Sequence, residues 1–252
     1  MYRGALMLNV TARQELMRTI VETLGVVVEE ARLDFGEDGL SVRVVDPSHV
    51  AMIKMDVDSA AFETWEVDET KLGLEMRKMH QFLSVAGAGD MVELAYNNES
   101  GQATIHIGRI DLNLRPLDNS TLNPPNVPSL ELPCGVTIGG SELSQALKAA
   151  KLVGDLVNLS LTDDTFTVNV RGSTDSVNLD FSKDELMAID CKEAARSQYS
   201  LTYLTPLTKI FQSIENVNLR FGDNFPLKLT FDFADGAGHV EYFLAPRVEG
   251  DY

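Results

Sequence analysis

Cysteine is almost absent from this 252-residue chain, with Cys134 and Cys191 the two examples. Their positions give neither a metal-ligand spacing nor a disulfide framework, which predicts a reducing, intracellular setting. Long apolar runs are missing too: nothing approaches the roughly 20 residues that a membrane helix needs. The opening Met1-Tyr2-Arg3-Gly4-Ala5-Leu6-Met7-Leu8 is too short and too soon polar to read as a secretion signal. Positive charge is scarce, since 21 Lys and Arg face 38 Asp and Glu, for a net charge of −17. A protein that neutralises phosphates normally carries a basic balance, so the whole-body charge opposes a nucleic-acid partner. That objection does not reach a locally basic surface inside an acidic body, so the placement of the cations decides. The same acidity also suits a salt-rich cytoplasm.

Signatures of catalysis are also lacking. His49, His80, His106 and His239 show no metal spacing, and neither a phosphate-binding loop nor a nucleophile elbow occurs. The carboxylate pairs Asp163-Asp164 and Asp232/Asp235 are of the kind an acidic, turn-rich chain produces by chance. Cys134, beside Pro133, has no activating base in view. No catalytic residue, metal or cofactor is assigned, and the chain reads as a non-enzyme.

What is present is a duplication. An alternating strand (Ala5 to Asn9), an amphipathic helix (Thr11 to about Leu24) and two strands (Val26 to Phe35, Leu40 to Asp46) come first. Gly36-Glu37-Asp38-Gly39 joins that strand pair as a hairpin signal. The order returns about 130 residues later: Val136 to Ile138, a helix capped by Ser141, then Leu156 to Leu161 and Phe166 to Val170 around Thr162-Asp163-Asp164-Thr165. A strand and helix over Lys71 to Val85, then Met91 to Tyr96 and Ala103 to Leu114, match Ser200 to Ile214, Val217 to Phe221, Leu227 to Phe233 and His239 to Leu244. Thr205 and Pro206 read as cap and first position of the last helix. The chain is therefore α+β, with domains over 1–116 and 133–252 and a linker over 117–132. Leu122 and Val127 in that Pro- and Asn-rich linker either pin it to the body or help wall a groove.

Helical periodicity places one cation opposite each buried stripe. Arg18 lies opposite Leu16, Met17, Ile20, Val21 and Leu24. Arg77 lies opposite Met76, Met79, Phe82 and Leu83. Lys148, with Lys151 on the flank, lies opposite Leu143, Ala146, Leu147 and Ala150. Lys209 lies opposite Leu204, Leu207, Ile210, Phe211 and Ile214. Either these are ordinary solvated faces, with Glu15 and Glu22 diluting the first, or the helices share a surface on which the cations converge. Such a surface would bind phosphates weakly, without sequence preference and with strong salt dependence, as a sliding contact requires.

Val44-Val45-Asp46-Pro47-Ser48-His49-Val50-Ala51-Met52 resembles the segment after the first hairpin in sliding clamps of the proliferating cell nuclear antigen family. Tyr199-Ser200-Leu201-Thr202-Tyr203-Leu204, Asn224-Phe225-Pro226-Leu227-Lys228-Leu229 and Tyr242-Phe243-Leu244-Ala245-Pro246-Arg247 resemble three further family segments, in order and over essentially the whole chain. The Asp-Pro-Ser and Ala-Pro-Arg forms resemble the archaeal branch.

The resemblance implies a homotrimeric ring with helices lining a channel and antiparallel sheets outside. It would encircle duplex DNA and tether the replicative polymerase, conferring processivity. Arg18, Arg77, Lys148, Lys151 and Lys209 would face the DNA, with Gln81 and Ser84 where relatives often carry lysine. Val45, His49, Val50, Met52, Leu122, Val127, Pro226, Phe243, Leu244, Ala245, Pro246 and Arg247 would form a groove for short peptides of polymerase, clamp loader, flap endonuclease and DNA ligase. Ile105, Ile107, Arg109, Ile110, Leu112 and Leu114, in a strand over 105–114, would meet Val177, Leu179 and Phe181 of the next subunit, with Arg109 and Arg115 opposite Asp180 and Asp184. The implied location is the cytoplasm, on the nucleoid, or the nucleus in a eukaryote. A specialised subunit of a heteromeric or checkpoint-type ring is the alternative, and a β-rich hydrolase or ligand-binding protein is the alternative from another class.

Overall fold

The computed structural model describes residues 6–248. Ala5, the expected start of the first strand, lies outside the described residues. The first half holds β1 (Leu6–Arg13), α1 (Gln14–Gly25), β2 (Glu30–Phe35), β3 (Gly39–Val45), β4 (Ala51–Asp58), β5 (Thr64–Val67), β6 (Thr70–Glu75), α2 (Met76–Leu83), β7 (Met91–Asn97), β8 (Gln102–Ile107) and β9 (Ile110–Leu114). The second holds β10 (Cys134–Gly139), α3 (Gly140–Val153), β11 (Leu156–Leu161), β12 (Thr165–Arg171), β13 (Ser176–Ser182), β14 (Ala188–Cys191), β15 (Ala195–Ser200), α4 (Leu201–Leu204), α5 (Thr208–Phe211), β16 (Asn216–Phe221), β17 (Leu227–Phe233) and β18 (Gly238–Leu244).

Strand order carries the duplication. The first half runs β5-β1-β7-β8-β9 and β4-β3-β2-β6; the second runs β14-β10-β16-β17-β18 and β13-β12-β11-β15. Every strand of the first half has its counterpart nine strands later. Contacts group the chain into two compact units: the described residues up to Val45 with Ile53–Asn126 and Phe233–His239, and Asp46–Met52 with Val127–Asp232 and the chain from Val240 on. In the first unit, Leu8, Leu24, Leu72, Leu94 and Ile105 are fully buried; in the second, Ile138, Leu147, Leu159, Phe211 and Leu219 are. No helix of the described residues is long and apolar enough to cross a membrane.

Several expected boundaries move, each because a distant partner overrides a local signal. β1 continues to Arg13, because β7 pairs with it as far as Arg13↔Met91. Helix α1 therefore starts at Gln14, not Thr11, with Arg13 as its N-cap. Helix α3 starts at Gly140 with Gly139 as N-cap, so Ser141 sits inside the first turn. A Cβ at Gly140 would stand 2.3 Å from the Ile214 carbonyl oxygen and 2.4 Å from that of Phe211, so glycine permits this close approach. The last helix begins at Leu201 and tightens to a 3₁₀ turn over Thr205–Leu207, with Pro206 at its start. Pro206 has no N–H for the preceding turn, so it interrupts a helix there instead of opening one. The run 105–114 is two strands, turned at Gly108 with φ 60°.

The cysteine expectation is overturned. Cys134 on β10 faces Cys191 on β14 in register, with Cα atoms 4.3 Å apart, and the two form a disulfide. Cross-strand register, invisible in the spacing of the two residues, brings them together.

Candidate functional site

Three groups of candidate residues take shape on this frame. The first comprises the helix faces. All the residues assigned to buried stripes are buried except Phe82, which is half-exposed. In the first unit, α1 packs against α2, and Glu22 joins their outer faces: its Oε1 accepts Arg18 Nε at 2.8 Å and lies 2.9 Å from His80 Nε2. Arg18 is thus masked by a neighbouring carboxylate, as the flanking glutamates suggested. Arg77 is exposed and 3.9 Å from Glu75, and Lys78, which periodicity passed over, is exposed beside it. Gln81 is exposed, and the Ser84 hydroxyl donates back to its carbonyl at 2.6 Å. In the second unit the Ser144 hydroxyl donates to the Thr208 carbonyl at 2.8 Å and ties α3 to α5. Lys148 is exposed and meets no carboxylate among the described residues, whereas Lys151 is paired with Asp155. Lys209 is exposed on α5.

The second group surrounds Asp46 in the second unit. The buried Asp46 carboxylate accepts the backbone N–H groups of Val50 at 2.6 Å, Ala51 at 2.7 Å and Ser48 at 3.0 Å, and the Tyr203 hydroxyl at 3.3 Å. Burial alone raises its pKa, but the amides of Ala51, Ser48 and Val50 with the Tyr203 hydroxyl outweigh that and hold the carboxyl below its ordinary value. His49 lies exposed at φ 56°, its N–H donating to the Asp46 carbonyl, in the structural role that a turn residue plays. The Ala245 N–H donates to the Val50 carbonyl at 2.9 Å, and the Tyr242 hydroxyl to the Tyr203 carbonyl at 3.0 Å. Val50, Met52, Val127, Pro226, Ala245 and Pro246 are half-buried, and Arg247 is exposed. Phe243 and Leu244 are buried, at 6% and 1% exposure, with Lys228 Nζ 5.5 Å from the Phe243 ring centre. Val45, Leu122 and the linker start belong to the first unit. There the Leu117 N–H donates to the Gly73 carbonyl at 2.8 Å, Asn119 Nδ2 donates to the Lys71 carbonyl at 2.8 Å, and Leu122 packs on Gly73. Leu122 therefore pins the linker to its own unit.

The third group lies on two end strands. β9 ends one sheet and β13 another, and neither contains a buried residue. Leu112, Leu114, Val177, Leu179 and Phe181 are half-buried, and Ile110 is 46% exposed. Ile105 and Ile107 belong to β8, one strand in from the end, and are buried within their own unit; they support β9 from behind instead of forming the edge. Arg109 and Arg115 are exposed, while the Asp180 carboxylate already accepts Thr167 Oγ1 at 2.7 Å and Asn178 Nδ2 at 2.8 Å. Leu152 on α3, which packs against β13, is 89% exposed. An apolar residue one turn beyond Lys148 on the outward face was the available signal for it.

Comparisons with known proteins agree with one another. The family model for the proliferating cell nuclear antigen N-terminal domain matches residues 7–111, and that for its C-terminal domain matches residues 126–247. A DNA polymerase sliding clamp of Methanosarcina barkeri is 36% identical over 97% of this chain and 100% of its own length. One of Halobacterium salinarum is 35% identical over 94% and 97% respectively. Among solved structures, the proliferating cell nuclear antigen of A. fulgidus, bound to the C-terminal region of FEN-1, superposes with a TM-score of 0.91 at 30% identity, covering 97% of this chain and all of that one. The proliferating cell nuclear antigen of Thermococcus kodakaraensis, 23% identical and covering 95% of this chain and all of its own, shares the fold with a TM-score of 0.88.

Proposed function

Because the chain belongs to the proliferating cell nuclear antigen family, we propose that it is a DNA sliding clamp, a closed homotrimer around duplex DNA that tethers a polymerase and other replication and repair proteins. The observation that carries this reading is the strand-for-strand repeat with helices in each half, set beside full-length similarity to archaeal sliding clamps. A clamp performs no chemistry, so the chain is not an enzyme. Its place is the cytoplasm of an archaeal cell, on the nucleoid.

In this reading Arg77, Lys148 and Lys209 contact phosphates, with Lys151 and the newly recognised Lys78 beside them and Arg18 held back by Glu22. Few, loose contacts in an acidic body leave the hold on DNA to ring closure. The open edges of β9 and β13 pair between subunits, which removes two unpaired strand edges. Arg109 and Arg115 act at the rim, where such charges contribute about 0–1 kcal/mol each. Partner peptides seat on the second unit around Val50, Met52, Val127, Pro226 and the Phe243–Arg247 tail; Val45, His49 and Leu122 enter on the family resemblance alone. The A. fulgidus relative, bound to the C-terminal region of FEN-1, supports a flap-endonuclease peptide as one ligand. Light scattering coupled to gel filtration tests the assembly: three times the 27.7 kDa chain mass is expected, and a stable monomer at micromolar concentration would refute the homotrimer.

A further inference from the structure

We propose that the solvent face of the β13-β12-β11-β15 sheet is a docking surface for an extended, acidic peptide segment of a partner protein. Four amides cross this sheet in a single row: Asn178 faces Asn169, Asn169 faces Asn158, and Asn158 faces Gln198. They engage one another, Asn169 Nδ2 donating to Asn178 Oδ1 at 3.1 Å and Gln198 Nε2 to Asn158 Oδ1 at 3.5 Å. The row floors a concavity of about 910 Å³, which adjoins a second of about 390 Å³ through their shared Asn158, Arg196 and Gln198.

Arginines set the chemistry. Arg171 and Arg196 line the larger hollow, and Arg196 and Arg247 the smaller. All three are exposed, and their guanidinium groups meet no carboxylate among the described residues. In a chain with 38 acidic and 21 basic residues, three unpaired arginines on one face mark a site for an anion. The two lining carboxylates are already engaged, Asp155 by Lys151 and Asp223 by the Arg196 N–H at 2.6 Å. Arginine forks suit carboxylates, and the amide row both donates and accepts, as an extended peptide backbone requires. No aromatic side chain lines either hollow among the described residues, which removes the stacking platform that single-stranded nucleic acid uses. The amide row starts on β13, but the three arginines come from β12, β15 and the segment after β18, none from β13 or a helix, and the test is made without DNA.

The test is fluorescence anisotropy on the full-length protein at low salt, with a fluorescein-labelled peptide of alternating Glu and Ser and no DNA present. Saturable binding is expected, absent for the Gln-for-Glu peptide. Arg171→Gln with Arg196→Gln should weaken binding about tenfold, while Arg43→Gln, exposed in the first unit, should leave it unchanged. Arg171→Lys with Arg196→Lys should fall between, and unchanged thermal unfolding of both pairs shows that the fold is intact. Failure of the Glu peptide to saturate, or equal affinity in the double Gln variant, overturns the proposal. So does an oligothymidylate probe that depends on the two arginines while the peptide does not.

Discussion

Asp46 and Tyr203, far apart in the chain, meet side chain to side chain at 3.3 Å, and the Tyr203 carbonyl accepts the Tyr242 hydroxyl. One buried carboxylate thereby ties the 46–51 turn to the strand that leads into the C-terminal tail. Its pKa is depressed in the fold, so its contribution is present above the unfolded carboxylate value of about 3.9 and is lost as pH falls through the lower folded value. Asp46→Asn turns one accepting oxygen into an amide NH2 donor facing other donors and should cost about 1–3 kcal/mol at neutral pH. Urea unfolding across pH checks both parts: the gap between wild type and variant should shrink below about pH 4.

The linker start depends on glycine at position 73. A Cβ there would stand 2.8 Å from Leu122 Cδ1 and 3.0 Å from the Leu117 carbonyl oxygen. Gly73→Ala should therefore lift Leu117 to Leu122 off β6, at a cost of about 1–3 kcal/mol. Limited proteolysis should then cut within 117–126 several times faster, whereas an unchanged rate would mean that Leu122 does not hold the linker.

How far the sequence reaches can be judged from particular elements. Leu156–Leu161 and Leu227–Phe233 end where the alternation ends, because turn residues flank each run and both faces of the pattern are visible locally. The cations of the helix faces follow from periodicity in the same way. What escaped was set by distant partners: the extension of β1 along β7, the Cys134–Cys191 pair, and the contact of His80 on α2 with Glu22 on α1. The amides Asn178, Asn169, Asn158 and Gln198 come from separate strands and align only once register is known, and Arg171, Arg196 and Arg247 reach the hollows above them from β12, β15 and the segment after β18.

Charge on the helix faces should tune the hold on DNA. Glu22→Gln releases Arg18 and removes a repelling carboxylate, so DNA affinity should rise and the salt dependence steepen by about one phosphate contact per subunit. Lys148→Glu with Lys209→Glu should do the reverse without changing oligomer mass. Titrations over a range of salt concentrations check both, and an unchanged slope in the lysine variant would remove those residues from the channel.

Leu152 is nearly fully exposed on α3, the helix that packs against the end strand β13, and a subunit boundary would explain that exposure. Burying a leucine stabilises by about 1.5–3 kcal/mol, so Leu152→Glu should shift the assembly towards monomer by at least tenfold in dissociation constant. Analytical ultracentrifugation measures it, and an unaltered trimer would place Leu152 outside the boundary.

Loaded on nicked circular DNA and freed of unbound protein, the clamp should stay with the circle through gel filtration and leave when a single restriction cut makes the DNA linear. Retention on the linear form as firmly as on the circle would contradict encirclement and mean that surface contacts, not ring closure, hold the protein on DNA.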